Sequence, residues 1–303
     1  MTHCRPKVGI ALSGGGLRGV AHIGILKVLI EQNIPIDLIA GTSAGSIIAA
    51  FYALGYSPHY MEKIAKQLHQ KQLFDSNFNL TALLWNTALD FLLRRFSIWS
   101  LLPRGLIKGN RLEYYFNTQF RGKKIKETKL PLAIMATDIH TGETIVFASP
   151  HVKIDTLKLH HTVMMHDVSL AEAVRASTAI PGIFLPKTLS GRWLVDGGLQ
   201  NNLPTAILRL MGADIVIGID LGYAGERRDY IDNISEIIIQ SFEVMNREIT
   251  VCKAEQTADL IIYPKIYDVG LTQVSRIPEV IRRGEEAAFN YLPAIVERVK
   301  KYA

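Results

Sequence analysis

Ile36-Asp37-Leu38-Ile39-Ala40-Gly41-Thr42-Ser43-Ala44-Gly45-Ser46-Ile47-Ile48-Ala49-Ala50-Phe51 is the stretch that decides the fold. Residues 36–40 are a short apolar run that ends at a turn signal, the pattern of a buried strand. Residues 44–54 read as a helix, with Gly55 placed as its C-terminal stop. Between them lies a Gly-x-Ser-x-Gly pentapeptide. In a strand–turn–helix setting this pattern is a nucleophile elbow. Gly41 and Gly45 allow a sharp turn, Ser43 is pushed out at the sheet edge, and the helix begins beneath it. The pentapeptide alone is a weak signal; the strand before it and the helix after it give it weight.

Working outward, the same alternation recurs. Residues 7–12 read as a buried strand and Ser13–Gly19 as a glycine-rich turn. Residues 20–32 carry apolar side chains at 20, 23, 25, 26, 29 and 30, a helical stripe. Ser57-Pro58 caps a third helix, with proline at its first position. Downstream, 132–139 and 144–148 read as strands joined by 140–143, and Ser169-Leu170-Ala171-Glu172 is a capping box. Trp193–Val195 is a short strand running into Asp196-Gly197-Gly198. Pro204 opens a helix, 213–220 is a core strand, a helix spans about 230–252, a strand 260–264 and a last helix about 277–300. Strands alternating with helices predict a three-layer α/β/α fold with a largely parallel central sheet. Without a linker or repeat, residues 1–303 read as one domain.

Composition excludes several classes. With 48% apolar and 20% charged residues the chain is globular rather than disordered. Two cysteines, Cys4 and Cys252, are too few for a disulfide framework or a zinc site and fit a reducing compartment. The apolar run Val8–Leu12 is too short for a secretory signal, so a cytoplasmic location is expected. The net charge of +6 is unevenly spread: ten basic and two acidic residues lie between Arg94 and Lys129. Such a run is either solvated surface or a contact for an anionic partner. Just before it, 78–102 is rich in Leu, Phe and Trp, with polar residues at helical spacing. The longest uncharged stretch, Ser76–Leu89, has 14 residues, short of the roughly 18–20 a spanning helix needs. It reads as a core or lid helix, or as an amphipathic surface. In the latter reading, 78–129 is an apolar and basic insertion in peripheral contact with an anionic membrane at its inner face.

Gly14-Gly15-Gly16-Leu17-Arg18-Gly19 fits Gly-x-Gly-x-x-Gly between strand and helix, so a dinucleotide site must be considered. That fingerprint wants an acid at the end of the second strand. The elbow stands there instead, and Asp37 lies at the strand's beginning. Consecutive glycines serve better as an oxyanion hole, with backbone amides unobstructed by side chains and a helix N-terminus behind them. Arg18 either steadies this loop and its anion or is a salt-bridged arginine. A serine nucleophile needs a base. In the hydrolase order serine, acid, histidine, a histidine would follow Asp196, but His166 is the last of nine. Asp196, at a strand end before two glycines, is either a turn aspartate or a direct general base forming a dyad with Ser43.

These three motifs in this order resemble the patatin-like phospholipase family, as do Ala176-Ser177-Thr178-Ala179-Ile180-Pro181-Gly182 and Asn202-Leu203-Pro204. The resemblance runs from about residue 7 to 221 and is nearest to small bacterial members. It implies a patatin-like fold and a Ser43–Asp196 dyad. It also implies an acyl-enzyme intermediate and hydrolysis of acyl esters of phospholipids or lysophospholipids without metal or cofactor. Gly14, Gly15, Gly16 and Arg18 would form the oxyanion site, and Gly41, Gly45, Gly197 and Gly198 would shape the two turns. A nucleic-acid partner is not expected. The alternative is a lipid-binding or regulatory module with weak esterase or thioesterase activity.

Overall fold

The β-branched and small residues of the central strands are buried along their whole length, which only a sheet covered on both faces allows. In the computed structural model, which describes residues 5–67, 75, 104–150, 161–222, 234–270 and 273–301, these are β1 (Val8–Leu12) and β2 (Leu38–Thr42). A 3-10 turn (Gly16–Val20) and α1 (Ala21–Glu31) connect them. Helices α2 (Ala44–Ala53) and α3 (Pro58–Lys66) follow, then β3 (Gly105–Ile107) and α4 (Asn110–Gln119). Next come β4 (Leu132–Asp138), β5 (Thr144–Ala148), β6 (Thr162–Met165), α5 (Leu170–Ser177), β7 (Gly182–Phe184), β8 (Lys187–Leu189) and β9 (Arg192–Asp196). The chain continues through α6 (Gly198–Asn201), α7 (Thr205–Leu210), β10 (Ile215–Ile219), α8 (Ile234–Ala254), β11 (Leu260–Ile262) and α9 (Ile277–Lys301).

The strand order is β11-β10-β1-β2-β4-β5-β6. The first five are mutually parallel, β5 runs antiparallel to β4, and β6 is parallel to β5. Val8, Ile10 and Leu12 point to a core shared with α1, α2, α5 and α9. Ala11, Ala40, Met135 and Val216 point the other way, to α7 and the end of α8. Helices thus cover both faces of a largely parallel sheet, as the alternation predicts.

One edge of β4 holds two strands end to end. β2 pairs with it through Ile39–Thr42 opposite Leu132–Met135. β9 then takes over antiparallel, with Asp196 opposite Ala136 and Leu194 opposite Asp138. β5 occupies the other edge of β4 over the same residues. Where β2 leaves this edge Ser43 begins, and where β9 ends Asp196 stands.

The expected helix at 230–252 is found at Ile234–Ala254, its first residues lying outside the described ones. The expected amphipathic segment 78–102 lies wholly outside them. Of the 78–129 insertion, 104–129 is described and belongs to the folded body. Phe116, Phe120 and Ile125 are buried, and Lys124 and Lys126 both pair with Asp167, at 3.0 and 2.9 Å. Part of the basic excess is therefore ordinary paired surface. The strands β3, β7 and β8 and helix α4 have no counterpart in the sequence reading; the strands are three residues each and show no usable periodicity. Among the described residues, no helix is long and apolar enough to cross a membrane.

Candidate active site

Ser43 occupies a position backbone sterics disfavour. Its φ of 51° is in the left-handed region, where a non-glycine residue is held only by surrounding structure and often marks a functional site. The constraint is visible. Its amide donates to Ser177 Oγ at 2.9 Å, and its carbonyl accepts from Ser46 Oγ at 2.6 Å and from the Ser46 amide at 2.9 Å. Although it stands at the N-cap of α2, its hydroxyl makes no capping bond, so it is left to the cavity above. The elbow glycines are required by close approach. A Cβ on Gly45 would fall 2.3 Å from the Leu12 carbonyl oxygen, and one on Gly41 would fall 2.4 Å from that of Gly45.

Asp196 is 1% exposed. Its amide donates to the Ala179 carbonyl at 2.9 Å, and its Oδ1 accepts the Gly198 amide at 2.8 Å. Gly197 packs on the Met135 carbonyl, which its missing Cβ would otherwise reach within 2.4 Å. Burial pushes the carboxyl pKa up to about 6, and the Ser43 hydroxyl and the Gly198 amide, both favouring the anion, stop it rising further. Oδ2 is buried without a partner at normal hydrogen-bond geometry.

The glycine loop completes the site. Gly14, Gly15, Gly16, Arg18, Ser43 and Asp196 all line one cavity of about 40 Å³, together with Asn202 and residues of α8. The sequence-predicted site residues are thus brought together. A larger groove of about 410 Å³ near Tyr52 and Lys129 contains none of them. None of the described histidines lines the Ser43 cavity. His22, the buried one, hangs on the Ser13 carbonyl at 2.9 Å and is held neutral, its pKa lowered by burial to about 4. Asp37, weighed as a ribose ligand, is instead engaged by Arg5 at 2.7 and 2.8 Å and by the Val8 amide at 2.9 Å.

Arg18 meets both of its alternatives. It is fully buried and lines the cavity, and it is also salt-bridged, to Glu243 of α8. Asp220, whose carboxyl is raised by burial, feels Arg18 as a stabilising charge. The guanidinium is thus paired with Glu243 and interacts electrostatically with Asp220. Sequence reasoning quoted Ser177 and Asn202 without giving them roles. Asn202 Oδ1 accepts the Gly14 amide at 3.1 Å, and Thr42 Oγ1 donates to the Asn201 carbonyl at 2.8 Å. These bonds tie the segment after Asp196 to the glycine loop and to the elbow. Glu243, Phe242 and Asn246 carried no sequence signal, because they meet the site only through long-range packing.

A family model described as patatin-like phospholipase matches residues 10–209. Patatin-like phospholipase domain-containing protein 6 of Mus musculus is 32% identical over 221 residues, covering 72% of this chain. Lysophospholipase NTE1 of Scheffersomyces stipitis is 30% identical over 233 residues, covering 75% of it. This chain spans only 14% and 13% of those two proteins. Among solved structures, human GIVD cytosolic phospholipase A2, in complex with methyl gamma-linolenyl fluorophosphonate, superposes with a TM-score of 0.50 at 12% identity, over 98% of this chain and 59% of that one, a likeness of fold. With the family model matched over residues 10–209, which hold the glycine loop, the serine elbow and the buried aspartate, and with relatives 30% and more identical over more than two thirds of it, this chain belongs to the patatin-like phospholipase family.

Proposed function

We propose that the chain is a lipid acyl hydrolase working through a Ser43–Asp196 dyad. Asp196 accepts the Ser43 proton as Oγ attacks the ester carbonyl. The tetrahedral oxyanion is held by amides of the glycine loop, those of Gly15 and Gly16 foremost because Asn202 engages that of Gly14. Arg18 supplies positive charge beside them. Collapse releases the alcohol and leaves an acyl-serine, which water activated by the same aspartate hydrolyses. Phospholipids or lysophospholipids are the proposed substrates, in keeping with the family and the names of its members. The observation that carries this reading is the shared cavity, in which a strained serine faces a carboxyl whose pKa is about 6.

The test is labelling of the purified chain by a fluorophosphonate, with hydrolysis of p-nitrophenyl butyrate in parallel. Wild type should label rapidly. Ser43→Ala should lose labelling and at least about a thousandfold of the hydrolysis rate, the scale seen when a nucleophile is removed. Labelling that survives Ser43→Ala rejects the mechanism. Absence of labelling in wild type beside tight liposome binding would favour the lipid-binding module.

A further inference from the structure

Helix α8 walls the Ser43 cavity with Phe242, Glu243 and Asn246, and it is turned the wrong way round. A surface helix normally buries its apolar stripe. Here, among the described side chains between 240 and 250, the buried ones are polar, Glu243, Asn246 and Thr250 at 9%, 6% and 4% exposure. The solvent side carries Ile237, Ile238, Val244, Met245 and Val251, each between 38% and 58% exposed. Positions 237, 244 and 251, with 238 and 245 beside them, repeat every seven residues, so they form one stripe along the helix. The stripe continues onto a neighbouring strand. Ile238 lies over Gly182 of β7, which pairs with β3, where Leu106 is 40% exposed. Exposed Arg104 and Lys108 flank Leu106, and exposed Arg247 lies on the helix, alongside Glu236 and Glu248.

Over the cavity α8 is tied down on its inner side by the buried pair of Glu243 with Arg18; its C-terminal end is held by Ala254 in the core and by Lys253 donating to the Gln200 carbonyl at 2.9 Å. Beneath it, about 40 Å³ is room for a few water molecules, whereas pockets that enclose ligands run to some 300–1,000 Å³. With α8 in this position the cavity is smaller than an acyl chain needs.

We propose that the outer stripe of α8 docks on a lipid surface, and that docking draws α8 outward, parts Glu243 from Arg18 and opens the Ser43 cavity. Lipid is favoured as the occupant because the stripe is apolar, has basic residues at the β3 end, and runs along the helix that walls the cavity. Parting the pair does not strand a lone charge. Arg18 retains Asp220 as a neighbouring carboxyl, and Glu243 moves to water at the headgroups. The opening step rests on the acyl-hydrolase reading; the docking step does not.

Cys252, exposed beside Val251 on the same helix, provides a probe. With Cys4→Ser in the full chain, Cys252 is labelled with an environment-sensitive NBD fluorophore and titrated with vesicles of equimolar phosphatidylcholine and phosphatidylglycerol. The emission should shift to the blue with lipid, equally in Ser43→Ala, so that a failed catalytic reading leaves this result standing. Val244→Ser with Met245→Ser should raise the lipid needed for half the shift by about thirtyfold, from the apolar area lost. Emission unmoved by lipid, or a shift that follows protein concentration without lipid and accompanies dimer formation, overturns the docking. For the latch, Glu243→Gln should lower the ratio of vesicle to monomeric-ester hydrolysis severalfold by freeing the helix without lipid. An unchanged ratio overturns it.

Discussion

Replacing Asp196 by asparagine tests the site without needing a substrate. The side chains are nearly isosteric, and asparagine Oδ1 can keep the Gly198 amide that Asp196 accepts at 2.8 Å. Burial raises the aspartate pKa from 3.8 to about 6. A folded-state pKa above the unfolded one means that the native state binds the proton more tightly, so this group lowers stability as pH rises from about 4 to 6. Below pH 4 the carboxyl is protonated in both states and there is no penalty. Above pH 6 the penalty is full. At 1.36 kcal/mol per pKa unit it is roughly 3 kcal/mol, and at pH 5 about half of that remains. The desolvation cost of the new amide reduces the gain, so Asp196→Asn should be more stable than wild type by about 1–3 kcal/mol at pH 8. For a chain of this size that is about 2–5 °C in Tm. The difference should fade toward pH 4 while hydrolysis is lost throughout. Urea or calorimetric melts at pH 4, 5 and 8 measure it. A variant less stable than wild type at pH 8, or a difference independent of pH, would refute the picture of Asp196 as a desolvated charge kept for chemistry.

Three further outcomes follow from the same geometry. The kcat/KM of wild type on a neutral ester should climb with pH through a single limb near 6 and then level off, because the base acts ionised; a limb near 4 would mean that Asp196 is solvated during turnover. Ser177→Ala removes the acceptor of the Ser43 amide and leaves that amide buried. It should cost about 1–2 kcal/mol in chemical denaturation and lower kcat more than it raises KM, and a change confined to KM would contradict a role in holding the elbow. Gly284→Ala should destabilise by about 3 kcal/mol or more, since its Cβ would fall 2.2 Å from the Ala21 carbonyl oxygen where α9 crosses α1; a neutral melt would show that this crossing can relax.

How much of this was legible in the sequence depended on the range of each interaction. Ser169 accepts the Glu172 amide at 3.2 Å and donates to its carboxylate at 2.8 Å, a capping box readable from four consecutive residues. Ser57-Pro58, the elbow and the strands flanking 140–143 are equally local, and each is found where periodicity and turn chemistry put it. The site residues were legible because the chemistry recurs as three short motifs. Their meeting was not, since it depends on β9 taking over the edge that β2 leaves, and strand pairing has no local signal. Asn202 reaches Gly14 across 188 positions and Glu243 reaches Arg18 across 225; no window of sequence contains either pair. The close approach of Gly24 and Gly284 at the crossing of α1 and α9 was equally invisible, because a helical glycine looks like a weak position until its neighbour is known.

In the proposed dyad, the broken edge of β4 accounts for an aspartate standing where a histidine is usual. An exposed carboxyl with a pKa of about 4 is a poor base for a serine hydroxyl. Because β2 and β9 meet end to end on β4, Asp196 stands inside the fold rather than at its surface, and the sheet and the overlying α8 desolvate it together. A pKa of about 6 leaves it mostly ionised at pH 7.5 while making it some two units more basic. On a proton transfer of intermediate sensitivity that is worth roughly tenfold in rate. The same burial weakens the fold at neutral pH, which is why the Asp196→Asn variant should gain stability and lose activity together. A carboxylate that owed its basicity to a nearby negative charge, rather than to burial, would respond to salt. At Asp196 burial is the largest cause and no charged neighbour is among the causes, so the acidic limb should hold its position from about 0.05 to 0.5 M NaCl, where the Debye length shortens severalfold. A limb that moved with salt would place the source of the shift outside this burial.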